Sequence, residues 1–192
     1  MTDTLRLFLA IELPAAERRA IHAATAPLRD AARAVAWVRE ENLHLTLKFL
    51  GSQPAGAVER LRDALAPAMA AAAAPTLELG GLGAFPDLRA PRVIWMGVHP
   101  DPRLEFVHHD VEVVCGALGY EVDGRAFRPH LTLGRVRDRL PAGGARAIAE
   151  AARGVHYRGR AAAASLDVMA SELTPQGARY RVMARLPLKG GA

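Results

Sequence analysis

The sequence predicts a mixed α and β fold made of two similar halves. Segments with the two-residue apolar period of strands alternate with segments that have the 3.6-residue period of amphipathic helices. The tetrapeptide His-Leu-Thr-Leu occurs twice, at residues 44–47 and 130–133, each time in a strand-like run. Glycine fingerprints of a nucleotide-binding fold do not accompany this alternation, so a dinucleotide or P-loop fold is not indicated.

In the first half, the elements follow from apolar spacing and from proline. Pro14 suits the first turn of a helix that reaches about residue 34, and Pro27 should kink or split that helix. Pro54 is expected to open a second helix that ends near residue 74. Strands are predicted at residues 4–12, 35–38, 43–50, 76–79 and 93–98, and the glycine-rich residues 80–83 are predicted to form a flexible turn.

The second half repeats this arrangement. Helices are predicted at residues 102–119 and 144–153, and the second His-Leu-Thr-Leu copy lies in a strand at residues 127–136. Two further strands, at residues 163–173 and 178–188, are expected to be joined by a turn at residues 174–177, where proline and glycine favour a reversal.

Composition limits the possible classes of protein. A chain of 192 residues suits one domain, residues 1–192, made of two lobes that share a core. No apolar run is long enough to span a membrane, and no secretory signal is recognisable. The one cysteine, Cys115, lies in an apolar helical stretch and is expected to be buried, so the sequence indicates a protein without disulfides, in the cytoplasm. The net charge of +5 comes almost entirely from arginine, which binds phosphate with a planar fork.

The repeated motif places chemistry on one face of each strand. Side chains alternate along a strand, so His44 and Thr46 share a face while the leucines between them take the other. His130 and Thr132 repeat the pattern. Two such strands side by side would supply two imidazoles and two hydroxyls, which suits general acid–base chemistry on a phosphodiester. The structural alternative is a duplicated fold that keeps the motif only to cap strand edges.

Three further residues near the motifs are candidates for binding. Arg128 lies two residues before His130 and would share its face, although Pro129 disturbs the strand. Phe49 and Arg135 each lie five residues beyond a motif histidine, so strict alternation sends both to the leucine face, and only a bulge or strand end would bring them to the histidine face. On spacing alone, Phe49 is expected in the core.

No metal or cofactor is indicated. His108 and His109 are adjacent on a predicted helix, where neighbouring side chains diverge, and no Cys/His spacing matches a zinc site.

With these motifs, the Arg-Leu-Phe-Leu-Ala-Ile-Glu run at residues 6–12, the Phe-Arg-Pro-His approach at residues 127–130 and the strand-like residues 92–98, the chain resembles the two-histidine phosphoesterase superfamily. The resemblance covers residues 5–188 or so and is strongest to the RNA 2′,3′-cyclic phosphodiesterases, also called the 2′-5′ RNA ligase family. It implies an α+β bilobal fold with two antiparallel sheets, outer helices and a cleft between lobes related by a pseudo-two-fold axis.

The same resemblance implies a reaction and roles. RNA ending in a 2′,3′-cyclic phosphate would be hydrolysed to a 2′-phosphate without metal, with His44 as proton donor and His130 as proton acceptor. Thr46 and Thr132 would bind phosphate oxygens, and Arg135 and Phe49 would contact the terminal nucleotide. Arg128 is a candidate for substrate binding only from its position two residues before His130. Reversible 2′-5′ ligation is possible with the same residues, and the enzyme is expected to be a monomer.

Three alternatives stay open at this point. The substrate could be a 2′-5′ oligonucleotide or another small cyclic phosphate such as ADP-ribose 1″,2″-cyclic phosphate. The chain could be an RNA-end-binding module without turnover, although such a module needs no acid/base pair. A metal-dependent hydrolase would use the histidines as ligands, but no carboxylate lies near either motif in sequence.

Overall fold

A computed structural model describes residues 4–99, 101–174 and 177–191. Five α-helices occur in this part of the chain: α1 (Ala15–Ala24), α2 (Ala26–Ala31), α3 (Ala57–Ala71), α4 (Pro102–Ala117) and α5 (Gly144–Arg153). The strands are β1 (Thr4–Glu12), β2 (Val35–Trp37), β3 (His44–Pro54), β4 (Thr76–Phe85), β5 (Val93–Val98), β6 (His130–Val136), β7 (Arg158–Ala162), β8 (Ser165–Thr174) and β9 (Gly177–Pro187). A short 3-10 turn, Glu40–Asn42, precedes β3.

The strands form one antiparallel sheet in the order β7-β4-β5-β6-β3-β1-β8-β9, with β2 paired to β6. The two sheets that the resemblance implies are therefore two halves of one sheet. A first half-sheet, β3-β1-β8-β9, meets a second half-sheet, β7-β4-β5-β6, at the pairing of β3 with β6. Leu45 and Leu131 are the recorded partners of that pairing. The α+β prediction is confirmed, and the two motif strands lie at the centre of the sheet.

Helices cover the face of the sheet that carries the leucines. α3 packs against β8 and β9, α4 packs against β3 and α3, and α2 packs against α5. Leu61, Leu65 and Met69 of α3 are fully buried, as their helical spacing predicts. A smaller apolar cluster of Phe8 and Met169 with Ala10 lies on the opposite face, next to the histidines. The histidine face of the first half-sheet therefore carries an apolar cluster of its own beside His44.

Several local predictions are confirmed and others are wrong. The helix predicted from Pro14 does split, at Thr25, whose hydroxyl donates to the Ile21 carbonyl. Pro54 ends β3 rather than opening α3. The glycine turn predicted at residues 80–83 is instead part of β4. The pairing with β5 is irregular between Leu79 and Leu82 but continues beyond it. Gly83 is needed there because it leaves room for the Trp95 ring of β5. Strand β7 was not predicted, and Pro175 and Gln176 of the predicted turn lie outside the described residues.

Candidate active site

The two motif strands run antiparallel and meet at the motifs themselves. Leu45 of β3 pairs with Leu131 of β6, and both leucines are fully buried. Continuing the antiparallel register by one residue in each direction places Thr132 opposite His44 and His130 opposite Thr46. Each histidine therefore faces the threonine of the other motif, and all four side chains lie on the face away from the leucines.

A β-bulge follows the first motif. β1 pairs Ala10 with Thr46 and Leu9 with Lys48, so Leu47 is an extra residue of β3. Leu47 and Lys48 are both buried, which shifts the alternation by one position. The residue after Lys48 consequently returns to the histidine face.

The second motif also contains a β-bulge. β5 pairs Trp95 with Thr132 and Ile94 with Gly134, so Leu133 is the extra residue of β6. The two bulges bring Phe49 and Arg135 to the face that carries the histidines, which is what the sequence required for either residue to reach the site.

Each histidine ring is held by the backbone carbonyl two residues earlier. His44 Nδ1 lies 2.7 Å from the Asn42 oxygen, and His130 Nδ1 lies 2.7 Å from the Arg128 oxygen. A carbonyl oxygen only accepts, so both Nδ1 atoms carry a proton and donate it. In the neutral ring, Nε2 is then the atom with the free electron pair. The Thr46 hydroxyl, 3.0 Å from Nε2 of His44, donates to that pair.

Aromatic rings surround His44. Its ring centroid lies 5.1 Å from that of Phe8 and 5.1 Å from that of Tyr180, which meets the imidazole edge to face. Burial among these rings lowers the pKa of His44 to about 4; the Asn42 hydrogen bond opposes this, and the charge of Arg135 adds to it. His44 is therefore neutral at pH 7 in the unliganded protein.

His130 is half-buried in a different setting. Phe85 meets its ring edge to face at 5.0 Å between centroids, and the Trp95 ring lies at 6.3 Å. The indole nitrogen of Trp95 is buried and has no hydrogen-bond partner among the described residues. Each histidine thus packs against aromatic side chains of other strands in its own half of the sheet.

A cavity of about 780 Å³ opens beside the motifs. Predicted site residues His44, Thr46, Thr132, Arg135 and Phe49 line it. Because Phe49 is 66% exposed, the expectation that it lies in the core is wrong. His130 does not line this cavity, although its register places it beside Thr46.

Arg128 contributes differently from the sequence expectation. Its side chain is exposed and does not line the cavity, and β6 begins only at His130, so regular alternation does not extend back through Pro129. The Arg128 carbonyl accepts the hydrogen bond from His130 Nδ1. Substrate binding by the Arg128 guanidinium stays a prediction.

A buried ion pair connects the two motif strands behind the site. Lys48 Nζ donates to both carboxylate oxygens of Glu112 in α4, at 2.8 and 2.7 Å, and to the Glu121 carbonyl at 2.7 Å. The Asp123 backbone N–H donates to Glu112 Oε2 at 3.1 Å. β3 is thereby tied to residues 121–123, which lead into His130.

Several residues of the site could not be recognised as site residues from the sequence. Tyr180 comes from β9 and Phe8 from β1, and both reach His44 only because the sheet order places β1 and β9 in the same half as β3. Arg6, Arg39 and Arg137 also line the cavity and were hidden among the many arginines of the chain.

Within the described residues, no three His, Cys, Asp or Glu side chains are grouped so that they could hold a metal ion. None of the described helices combines the length and the apolar character that a membrane crossing requires.

Comparison with known proteins identifies relatives across most of the chain. The family model of the 2′-5′ RNA ligase superfamily matches residues 13–174. A protein of Methanothermobacter thermautotrophicus named RNA 2′,3′-cyclic phosphodiesterase is 30% identical over 184 residues, covering 93% of this chain and 96% of the relative. A Geobacillus stearothermophilus protein of the same name is 37% identical over 128 residues, and that match spans 67% of this chain but only 41% of the relative's length.

Solved structures agree with the sequence relatives. A Thermus thermophilus protein superposes with a TM-score of 0.77 at 25% identity, covering 97% of this chain and all of that one. Escherichia coli LigT complexed with 3′-AMP superposes with a TM-score of 0.73 at 28% identity, covering 97% of this chain and 99% of LigT. The match to the family model, the sequence relatives and the shared fold lead to one conclusion: this chain belongs to the 2′-5′ RNA ligase superfamily.

Proposed function

We propose that this protein hydrolyses the 2′,3′-cyclic phosphate at the end of an RNA chain, leaving a 2′-phosphate. The observation that carries the proposal is the antiparallel meeting of two His-x-Thr motifs beside a cavity that four arginines line. The names of the relatives, RNA 2′,3′-cyclic phosphodiesterase, support the same reaction.

In the proposed reaction, His130 Nε2 removes a proton from a water molecule as that water attacks phosphorus. The bond between phosphorus and O3′ breaks on the opposite side, and His44 Nε2 delivers a proton to O3′. The hydroxyls of Thr46 and Thr132 and the guanidinium of Arg135 stabilise the charge that develops on the non-bridging oxygens. Phe49 offers an exposed ring on which the terminal base can stack.

The role of His44 as acid requires that substrate binding protonates it. With a pKa of about 4 in the empty cavity, His44 is half-protonated at neutral pH only if its pKa rises by about three pH units. That rise takes about 4 kcal/mol. A negative charge about 4 Å from the imidazolium, at an effective dielectric constant near 20, supplies about 4 kcal/mol. The attraction to the bound phosphate is therefore about as large as the free energy needed to protonate His44.

The test is a short RNA with a 2′,3′-cyclic phosphate end, incubated with the protein in EDTA, with His44→Ala and His130→Ala in parallel. We expect conversion to a 2′-phosphate by the wild type and a loss of at least a hundredfold in each variant, since each removes a proton-transfer group. Turnover near the wild-type rate in either variant would contradict the two-histidine mechanism. Binding of the RNA without conversion would favour an end-binding module, and inhibition by EDTA would favour a metal-dependent reaction.

A cytoplasmic location, a monomeric state and a single domain over residues 1–192 remain predictions. Cell fractionation, sedimentation and the cooperativity of urea unfolding, respectively, test them.

A further inference from the structure

The cavity beside the motifs has a strong excess of positive charge. Its charged lining residues, apart from His44, are Arg6, Arg39, Arg135 and Arg137. No aspartate or glutamate of the described residues lines it. Arg39 has an ion pair with Glu41 at 3.4 Å, whereas the guanidinium groups of Arg6, Arg135 and Arg137 have no ion pair or hydrogen bond within the described part of the chain. Uncompensated guanidinium groups around an open cavity favour a ligand with several anionic groups.

Two of these arginines are too far along their strands to reach the phosphate at the motifs. Arg6 is four residues along β1 from Ala10, the partner of Thr46, which is about 13 Å of strand. Arg137 follows the end of β6, five residues beyond Thr132, which is about 16 Å of chain. Because β6 runs antiparallel to β3, this distance leads away from Phe49 and Arg6, beyond the His44 end of the motifs. Both distances exceed the length of an arginine side chain.

The order of groups along β3 matches the order of groups in an RNA strand. His44 and Thr46 come first, the exposed ring of Phe49 follows, and Ser52, the β1 partner of Arg6, comes next. This sequence of acid–base groups, aromatic ring and cation parallels terminal phosphate, terminal base and preceding backbone phosphate. Arginine combined with an exposed aromatic ring is a common arrangement in grooves that bind single strands.

We propose that Arg6 binds a backbone phosphate of the RNA upstream of its terminal nucleotide, so that the protein engages a single-stranded 3′ end over more than one nucleotide. This inference rests on the proposed function, because that function places the terminal phosphate at the motifs. The ligand class is single-stranded RNA, and Arg6 determines the preference for an oligonucleotide over a mononucleotide.

The test compares two substrates, adenosine 2′,3′-cyclic phosphate and a tetranucleotide with the same cyclic end. For Arg6→Gln, we expect the ratio of kcat/KM between tetranucleotide and mononucleotide to fall about tenfold, since this variant removes a charge-assisted phosphate contact. The loss should be in KM for the tetranucleotide. The dependence of log kcat/KM on log salt concentration should become shallower by about 0.7 per arginine removed.

Arg62→Gln is the matched control, because Arg62 is exposed on α3 and does not line the cavity. It removes the same charge and should leave the ratio between the substrates unchanged. Thermal unfolding of both variants checks that each is folded. An equal loss on both substrates would place Arg6 at the terminal phosphate, and an unchanged ratio with no loss would mean that it does not contact RNA; either result overturns the inference.

A failure of the proposed function gives a different result. If the wild type hydrolyses neither substrate, the proposed function is wrong. The affinity of a fluorescent tetranucleotide with a 2′-phosphate end, measured by anisotropy, then still decides the inference. A weakening of about tenfold in Arg6→Gln but not in Arg62→Gln supports the inference, and equal affinities refute it.

Discussion

The ion pair between Lys48 and Glu112 allows a prediction of stability worked from its geometry. Their side chains are only 5% and 10% exposed, and three short hydrogen bonds satisfy the ammonium group. Lys48→Met removes the cation and leaves the Glu112 carboxylate buried, with the Asp123 N–H as its remaining donor. Leaving one buried charge without its partner costs about 3 to 5 kcal/mol.

The double variant Lys48→Met/Glu112→Gln separates the charge from the packing. The side-chain amide that replaces the Glu112 carboxylate has no charge and can still accept from the Asp123 N–H, so the main remaining loss is the hydrogen bond to the Glu121 carbonyl. We expect the double variant to be destabilised by only about 1 to 2 kcal/mol. The second substitution should therefore recover stability that the first one removes.

Urea unfolding at pH 7 gives the free energies of unfolding for this comparison. A cost below about 1 kcal/mol for Lys48→Met would refute the reasoning, because that is the size expected for an exposed pair.

Two other predictions concern the residues around the histidines. Burial holds the folded-state pKa of His44 near 4, below its ordinary value of 6.5, so the unfolded chain binds the proton first as the pH falls. The free energy of unfolding should therefore fall by up to about 3 kcal/mol between pH 6.5 and 4. In urea unfolding, His44→Gln should lose this part of the pH dependence, and an unchanged pH dependence would contradict the assignment. A Cβ at Gly83 would lie 2.3 Å from the Trp95 ring beside His130, so Gly83→Ala should cost about 1 to 3 kcal/mol and lower kcat; wild-type stability and kcat would show that the ring moves freely.

The sequence was sufficient to predict the motif strands and their buried faces, because the two-residue period is a local property. Leu45 and Leu131 are buried and His44 and Thr46 share the opposite face, as alternation requires. The split of the first helix was equally local, since Pro27 removes a backbone donor.

Features that depend on strand pairing were harder to predict. The position of Phe49 depends on the extra residue at Leu47, and a bulge is defined only by the partner strand. Strict alternation therefore indicated the core for a ring that is in fact exposed. Residues 80–83 are similar, since Gly83 is required by the Trp95 ring across the sheet rather than by a turn.

Long-range sheet order explains the residues that sequence reasoning missed. Tyr180 is 136 positions from His44 along the chain, yet β9 and β3 lie in the same half-sheet and the two rings are in contact. No local pattern distinguishes Tyr180 or Arg6 from other tyrosines and arginines. Only the topology brings them to the cavity.

The two matching bulges make the backbone of the site symmetric, whereas the side chains that they position are chemically different. Around the Leu45–Leu131 pair, the backbone repeats itself, and the fifth residue after each histidine occupies an equivalent place. One of these equivalent places holds the neutral ring of Phe49 and the other the cation of Arg135. A ligand with identical ends would meet two interchangeable poses on such a backbone. An ester with a flat base at one end and an anion at the other has a single preferred direction of binding. Two side chains therefore determine the direction of the ligand, although the backbone around them is symmetric.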